Sequence, residues 1–353
     1  MASPIMGPAG SSVDRMRRTP PVVTLVLSLA LVAAACGDDS SGSSADGENA
    51  TSTTAASTPS VSAAEPAARE GTVTYDLPGD AVFPEGVAYD PATDRFFVSS
   101  TSDGTVFEVD RSSGDASVFS DAGADGRDTA VGLATDPQRR RLWVAGGTGQ
   151  TAYVYDLDSG DLIADYEADP VDGSLVNDVV VAPDGDAYLT DSGPRPTLFR
   201  VAEGDDGPGD LEEWLDLDTT PIPTDAGINL NGIVATDDDR YVLAVHLTEG
   251  QLYRIDRETQ EVTAVGGPGT LAGGDGMVLD GTRLWVVAAG GVNGFDLDES
   301  FSTLEPGPTI TDETFAFPTT AALVDGRLLV VNSQFDARES PTLPFTVSEA
   351  PAG

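Results

Sequence analysis

From residue 71 onward the chain consists of short runs of Val, Ile, Leu, Tyr and Phe, separated by turns rich in Gly, Pro and Asp. No stretch of useful length carries the period of an amphipathic helix, whereas short apolar runs bounded by turn residues are typical of strands. The pattern therefore predicts an all-β domain over residues 71–353.

The strand runs repeat six times. Each repeat opens on a run such as Glu85–Asp90 or Asn231–Thr236 and continues through a polar turn into a second strand and a third. Successive repeats begin 44 to 54 residues apart, and a period of about 40 to 50 residues with four strands each is typical of propeller blades. We predict a six-bladed β-propeller, because a β-sandwich or a broken solenoid would not explain the regular period.

The two ends of the domain complement each other. The last repeat leaves few residues for an outer strand, whereas the strand at 72–75 precedes the first repeat and belongs to no blade. We expect this N-terminal strand to close the ring by joining the last blade.

The first residues have the features of an export signal. Arg15, Arg17 and Arg18 precede an apolar run at 22–35, which is long enough for a signal peptide and too short to span a bilayer. Three alanines then lead into Cys36, the only cysteine of the chain. This junction resembles the lipobox of prokaryotic lipoproteins, where a lipid is attached before cleavage.

Processing at this junction would remove residues 1–35 as a lipoprotein signal peptide and leave Cys36 lipidated; the alternative is an ordinary secretory signal with a cysteine there by chance. Residues 36–70 are rich in Ser, Thr and Ala and show no apolar periodicity, which predicts a disordered tether. We expect an extracytoplasmic protein anchored to the cell membrane through the lipid alone.

Composition narrows the chemistry. The chain has 59 acidic and 18 basic residues, all of them Arg, for a net charge of −41, which makes nucleic acid an improbable partner. The lack of Lys excludes a P-loop and a Schiff base, and one cysteine excludes a disulfide. A single histidine, His246, excludes multi-histidine metal sites. Any chemistry must then rely on oxygen ligands and carboxylates.

The inner strand of each propeller blade lines the central channel, so the residues that open the six repeats converge near the axis. We call these the channel residues: Glu85, Val131, Asn177, Asn231, Asp275 and Thr320. Two acids and two amides among them form a set of hard oxygen donors that suits Ca²⁺. The alternatives are that the Asn-Gly and Asp-Gly pairs are simple hairpin turns, or that the channel mouth is polar without a metal.

Four motifs surround the oxygen-bearing channel residues: Pro84-Glu85-Gly86, Val176-Asn177-Asp178, Leu230-Asn231-Gly232 and Gly274-Asp275-Gly276-Met277. Their order over residues 75–335 resembles the senescence-marker-protein and gluconolactonase family (SMP-30-like), and more distantly paraoxonase and diisopropylfluorophosphatase. The resemblance implies a catalytic Ca²⁺ held by Glu85, Asn231 and Asp275, with Asn177 beside it as a further ligand.

The resemblance also implies hydrolysis of a lactone or related ester, with Asp275 as the catalytic carboxylate. The candidate substrate contacts on the same face are Asn177, Asp178, Asp191, Arg195 and His246. The chain departs from the family where Leu175 replaces an arginine that grips sugar substrates, and where Thr320 replaces a histidine. These departures favour the alternative of a non-catalytic propeller with a structural calcium, which would bind an envelope ligand or protein instead of a small-molecule lactone or ester.

The longest spacing between repeats includes an acidic segment at 204–228, rich in Gly and Pro, which carries Trp214. A segment between blades on the channel end of the ring can act as a lid over a site. We expect either a lid or a surface loop without a role.

Overall fold

The computed structural model describes residues 71–193, 197–224, 227–267 and 271–353, so the predicted signal peptide, Cys36 and the tether lie outside the described residues. The described chain forms six four-stranded antiparallel sheets. Their inner strands contact one another in cyclic order, so the sheets form a closed ring. The predicted six-bladed β-propeller is confirmed. Within the described ranges, no helix is both long enough and apolar enough to cross a membrane.

Every blade but the last is a simple meander, with its first strand at the channel and its fourth at the rim. In chain order the strands are β1 (Val73–Leu77), β2 (Pro84–Asp90), β3 (Arg95–Ser100), β4 (Val106–Asp110), β5 (Ala116–Ser120), β6 (Leu133–Asp136), β7 (Arg141–Ala145), β8 (Thr151–Asp156), β9 (Leu162–Glu167), β10 (Val176–Val181), β11 (Ala187–Asp191), β12 (Thr197–Gly204), β13 (Gly207–Asp216), β14 (Leu230–Ala235), β15 (Tyr241–His246), β16 (Gln251–Asp256), β17 (Val262–Ala264), β18 (Met277–Asp280), β19 (Arg283–Ala288), β20 (Gly291–Leu297), β21 (Leu304–Ile310), β22 (Pro318–Val324), β23 (Arg327–Asn332) and β24 (Phe345–Pro351). Short 3-10 helices lie at Ala124–Gly126, Leu217–Thr219 and Phe335–Ala337.

Blade six contains the two ends of the domain, since β1 pairs antiparallel with β24 from Val73 opposite Glu349 to Leu77 opposite Phe345. The predicted closure by the N-terminal strand is therefore confirmed. Side chains reinforce the junction: the fully buried Glu349 carboxylate forms ion pairs with Arg111 of blade one (3.0 Å) and Arg327 of blade six (2.7 Å).

The apolar core lies between neighbouring blades. Phe96 and Val98 of blade one, for example, pack in one cluster with Leu329 and Val331 of blade six. Because each sheet is covered on both faces, the second strands are almost continuously buried, as β7 and β15 show.

The structure corrects the sixth channel residue. Pro318 lies opposite Asn332 just as Pro84 lies opposite Ser100, which aligns Thr319, and not Thr320, with Glu85. The same bulge follows the proline in both strands, so the offset arises at the far end: β2 ends at Asp90, whereas β22 ends at Val324 and Asp325 already belongs to the turn. Two adjacent threonines conceal this register in the sequence. The prediction of Thr320 was wrong by one position.

The acidic segment at 204–228 is neither a lid nor a structureless surface loop over most of its length. Residues 204–216 complete the β12–β13 hairpin, the outer edge of blade three. Trp214 packs edge-on against Tyr188, with 5.0 Å between ring centroids. The apolar side chains of β13 pack on the blade, and Ile228, the last residue of the segment, lines the channel cavity.

Candidate functional site

A cavity of about 1060 Å³ opens at the end of the ring where the inner strands begin, which we call the channel face. All four oxygen-bearing channel residues line it: Glu85, Asn177, Asn231 and Asp275. Asp178, the next residue along β10, is not among the residues that line this cavity. The structure therefore brings together the four residues that the sequence placed at one point.

Local backbone geometry explains why these side chains face the channel. In four blades the pairing of the first and second strands shifts at the channel residue, as between Pro84 and Val87 or between Leu230 and Ile233. Such a bulge releases one residue from the ladder and re-aims its side chain. The Asn231-Gly232 pair therefore belongs to a bulged strand and is not a hairpin turn.

A ring of hydrogen bonds fixes the main chain at this level, because the carbonyl oxygen of each channel residue accepts a hydrogen bond from the preceding blade. We call this ring the carbonyl belt. Its donors and acceptors are Ser99 Oγ to Val131 (2.6 Å), Gly132 N to Asn177 (2.8 Å), Thr190 Oγ1 to Asn231 (2.8 Å), Gly232 N to Asp275 (3.1 Å), Gly276 N to Thr319 (2.7 Å) and Thr319 Oγ1 to Glu85 (3.0 Å).

The belt has two consequences. Since the carbonyl oxygens are occupied, the channel residues offer mainly their side chains to the cavity. The blades also approach so closely that a Cβ on Gly232 would lie 2.2 Å from the Asp275 carbonyl oxygen, which explains the small residue at this position.

Asn177 has a fixed amide orientation. Its Nδ2 donates to Ser192 Oγ at 3.0 Å, and the Ser192 hydroxyl donates its own hydrogen to the Leu230 carbonyl, so it can only accept from Asn177. Asn177 Oδ1 is left without a hydrogen-bond partner although it is buried, and the same is true of Glu85 Oε2. Buried oxygens without partners are costly and rare in folded proteins, and the lone pairs of these two atoms are available to a bound cation.

Three acids around the channel have raised pKa values. Loss of hydration, followed by repulsion from Asp275 and Asp178, holds the pKa of Glu85 well above its usual range. Loss of hydration and the charge of Asp178 raise the pKa of Asp275 to about 8, against a hydrogen bond from Asn231 that lowers it. The pKa of Asp178 rises to about 7 through loss of hydration, although the N–H groups of Val179 and Ile233 donate to it.

Asp178 and Asp275 keep some exposure, yet protein surrounds them deeply enough that lost hydration dominates both shifts. No positive group contributes to any of the three shifts. In the described ranges no three His, Cys, Asp or Glu side chains are grouped closely enough to hold a metal by themselves. A cation here would need the amides of Asn177 and Asn231 as well, and this mixed oxygen set fits a hard divalent cation.

Three predicted substrate contacts have other surroundings. Asp191 is buried and accepts hydrogen bonds from the N–H groups of Leu175 (2.9 Å) and Gly193 (2.8 Å), which holds the loop after β11. His246 is buried too: Nδ1 accepts from Glu249 N–H at 3.1 Å, so Nε2 carries the proton toward the Pro223 carbonyl at 3.2 Å.

Neither Asp191 nor His246 is among the described residues that line the cavity, and Arg195 lies outside the described residues. The loop at 192–193 nevertheless supports the site indirectly, because Ser192 orients Asn177.

The walls of the cavity are largely apolar. Leu175, which stands where sugar lactonases would place an arginine, lines it together with Leu247, Phe317 and Phe335. Arg338 also lines the cavity. Sequence reasoning missed Phe317, Phe335 and Arg338. One signal was present for Phe317, since Phe317-Pro318 repeats Phe83-Pro84 directly before two channel residues.

Known structures share this architecture. The gluconolactonase from Xanthomonas campestris is 19% identical, with a TM-score of 0.56 over 79% of this chain and 89% of that one. Regucalcin from Agrobacterium tumefaciens, described as a calcium-binding protein, is 20% identical, with a TM-score of 0.54 over 80% and 97% of the two chains. Virginiamycin B lyase from Staphylococcus aureus is 14% identical, with a TM-score of 0.53 over 79% and 98%.

At these identities the likeness establishes the fold. Curated protein sequences yield no match to the chain. The model of the SMP-30/gluconolactonase/LRE-like region, however, matches residues 83–316, which contain the four oxygen-bearing channel residues. The chain therefore belongs to the SMP-30/gluconolactonase/LRE-like family.

Proposed function

We propose that the protein is a calcium-dependent hydrolase of lactones or related esters, tethered outside the cytoplasm by a lipid on Cys36. The observation that carries the proposal is the pair of buried oxygens without partners, Glu85 Oε2 and Asn177 Oδ1, beside acids whose charges no positive group offsets. Family membership and the calcium-binding description of regucalcin support the metal.

Glu85, Asn177, Asn231 and Asp275 would hold the ion. When bound, Ca²⁺ would polarise the substrate carbonyl and stabilise the negative charge that develops on its oxygen. The chain supplies orientation and exclusion of water: Ser192 fixes the amide of Asn177, and the apolar walls hold the body of the substrate.

Proton transfer falls to Asp275 in this proposal. Water adds to the carbonyl carbon as Asp275 accepts a proton from it. The bond between the carbonyl carbon and the ring or ester oxygen then breaks, and Asp275 returns the proton to the departing alkoxide, giving an acid and an alcohol. The carbonyl belt holds the Asp275 main chain through Gly232 N–H, which keeps this carboxylate in place.

The alternative is a non-catalytic propeller that uses calcium structurally and binds an envelope ligand or protein. Apolar Leu175 in the cavity wall favours this alternative, because that position offers a sugar lactone no charged side chain to bind.

Calcium binding and hydrolysis separate the two functions. We expect the wild type to bind Ca²⁺ in a calorimetric titration and to hydrolyse some members of a panel of aryl lactones and esters. Asp275→Asn should lower hydrolysis about a hundredfold or more. Asp280→Asn, which changes an exposed acid at the far end of the strand that follows Asp275, should change neither property. Binding without turnover would favour the non-catalytic propeller, and absence of calcium binding would refute the proposed site.

A further inference from the structure

The loop between β23 and β24 spans residues 333–344 and brings Phe335 and Arg338 to the channel cavity. The side chain of Gln334 braces this loop, since Nε2 donates to the Thr342 carbonyl at 2.8 Å and Oε1 accepts from Thr342 N–H at 2.7 Å. The 3-10 helix at Phe335–Ala337 follows directly. Because both ends of the loop are tied, it presents its side chains in a fixed position, which limits the entropy lost on binding a ligand.

Arg338 differs from the other arginines of the described chain. Most of these form ion pairs with carboxylates, while Arg127 and Arg254 donate hydrogen bonds to oxygen acceptors. The Arg338 guanidinium makes no hydrogen bond or ion pair within the described ranges. In a chain with 59 acidic residues and 18 basic ones, an arginine left without an acid is unexpected.

Aromatic rings hold this guanidinium. Its central carbon lies 4.3 Å from the Phe335 ring centroid and 5.0 Å from that of Phe83. Contact with aromatic faces positions an arginine while leaving its N–H groups available to an acceptor. Arg338 is exposed at the mouth of the cavity and can meet an incoming molecule.

The cavity between Arg338 and the channel residues suits an apolar group. Leu175, Leu247, Phe317 and Phe335 line it, and its volume of about 1060 Å³ far exceeds what a lactone ring alone would fill. Apolar contacts bind a molecule but do not fix its orientation, so a charged group at one end of the cavity must orient it.

We propose that Arg338 is a specificity-determining residue, which selects substrates whose apolar body carries a carboxylate: the reacting carbonyl lies at the channel residues and the carboxylate pairs with the guanidinium. The expected effect on kcat/KM rests on the proposed hydrolase. The expected effect on the affinity for a carboxylate does not depend on turnover.

Two matched pairs of small molecules test it. The first pair, 4-phenylbutyrate and 4-phenylbutanol, cannot be hydrolysed and measures binding by equilibrium dialysis in calcium. The second, dihydrocoumarin and its 6-carboxylate, measures kcat/KM. We expect the wild type to bind 4-phenylbutyrate more tightly than the alcohol. In Arg338→Gln the affinity for the butyrate and the kcat/KM for the carboxylated lactone should fall about tenfold, while the values for the neutral partners stay the same.

Arg240→Gln is the control, because it removes the same charge from an exposed arginine that does not line the cavity. Arg338→Lys should restore only part of the preference, since an ammonium lacks the planar pair of donors. Equal binding of 4-phenylbutyrate by wild type and Arg338→Gln would overturn the inference, as would a wild type that binds neither compound or binds both equally. Failure of hydrolysis with a retained Arg338-dependent preference would refute the hydrolase and leave the anion site standing.

Discussion

The fold encloses three acids around the channel, Glu85, Asp178 and Asp275. Their raised pKa values show that enclosing the charged carboxylates costs free energy. Asp178 raises the pKa of both of the others. Residue type and repeat spacing were enough to identify Glu85 and Asp275 from the sequence. Arg338 was not identifiable that way, because it belongs to a loop outside the repeated strands, and only packing brings it to the cavity.

The raised pKa values predict how stability depends on pH when calcium is removed. An acid whose pKa is higher in the folded state than in the unfolded chain stabilises the fold below the ordinary carboxyl pKa. That stabilisation is lost as pH rises through the folded value, which is about 7 for Asp178 and about 8 for Asp275. In a chelator, the free energy of unfolding should therefore fall between pH 5 and pH 8, by about 1.4 kcal/mol per pH unit for each extra proton held.

Urea unfolding at pH 5, 6.5 and 8, with chelator and with calcium, measures this slope. Calcium should flatten it, because the cation takes the place of the protons. The double variant Glu85→Gln with Asp178→Asn should also flatten it, whereas Asp280→Asn, an exposed acid, serves as the control. Equal stability of the chelated wild type at pH 5 and pH 8 would contradict the prediction.

At the scale of the strands, hydrophobic runs and turns predicted the blades, but they did not predict the pairing register of the strands to a single residue. Strand pairing places Thr319 at the sixth channel position, because β22 ends one residue before Asp325 whereas β2 ends at Asp90 itself. Either of the two adjacent threonines satisfies the sequence pattern. The same limit applies to residues 204–216, whose acidic composition concealed an outer strand that is held by pairing with β12.

The strand β24 depends on one buried acid. Replacing Glu349 by Gln removes the charge that faces Arg111 and Arg327 and leaves two guanidinium groups with a weaker partner. Breaking a buried ion pair by removing one partner is strongly destabilising, so we expect a loss of about 3 kcal/mol in the free energy of unfolding. Denaturant titration measures it, with the exposed Glu305→Gln in β21 as the control. Equal losses in the two variants would show that the buried pairs contribute nothing special.

At the scale of the whole molecule, the closed ring followed from a spare strand at one end and a missing strand at the other.

The lipid anchor stays a prediction from residues 1–36. In wild-type protein from a lipoprotein-processing host, intact-mass analysis should show the loss of residues 1–35 and an added lipid mass. Cys36→Ser should show neither change, because the lipid is attached before cleavage, whereas Ser41→Ala, a change within the predicted tether, should show both. A wild-type protein without the lipid mass would refute the anchor.

The carbonyl belt also bears on how such a protein can change over generations. Five of its six hydrogen bonds are donated by main-chain groups or by hydroxyls outside the channel residues, and only Thr319 contributes its own side chain. The ring geometry is thus almost independent of which side chains face the channel. Val131 already shows that an apolar residue is accepted there. Mutation can therefore exchange the channel side chains one by one while the ring is retained. New activities can arise in this way without a change of fold.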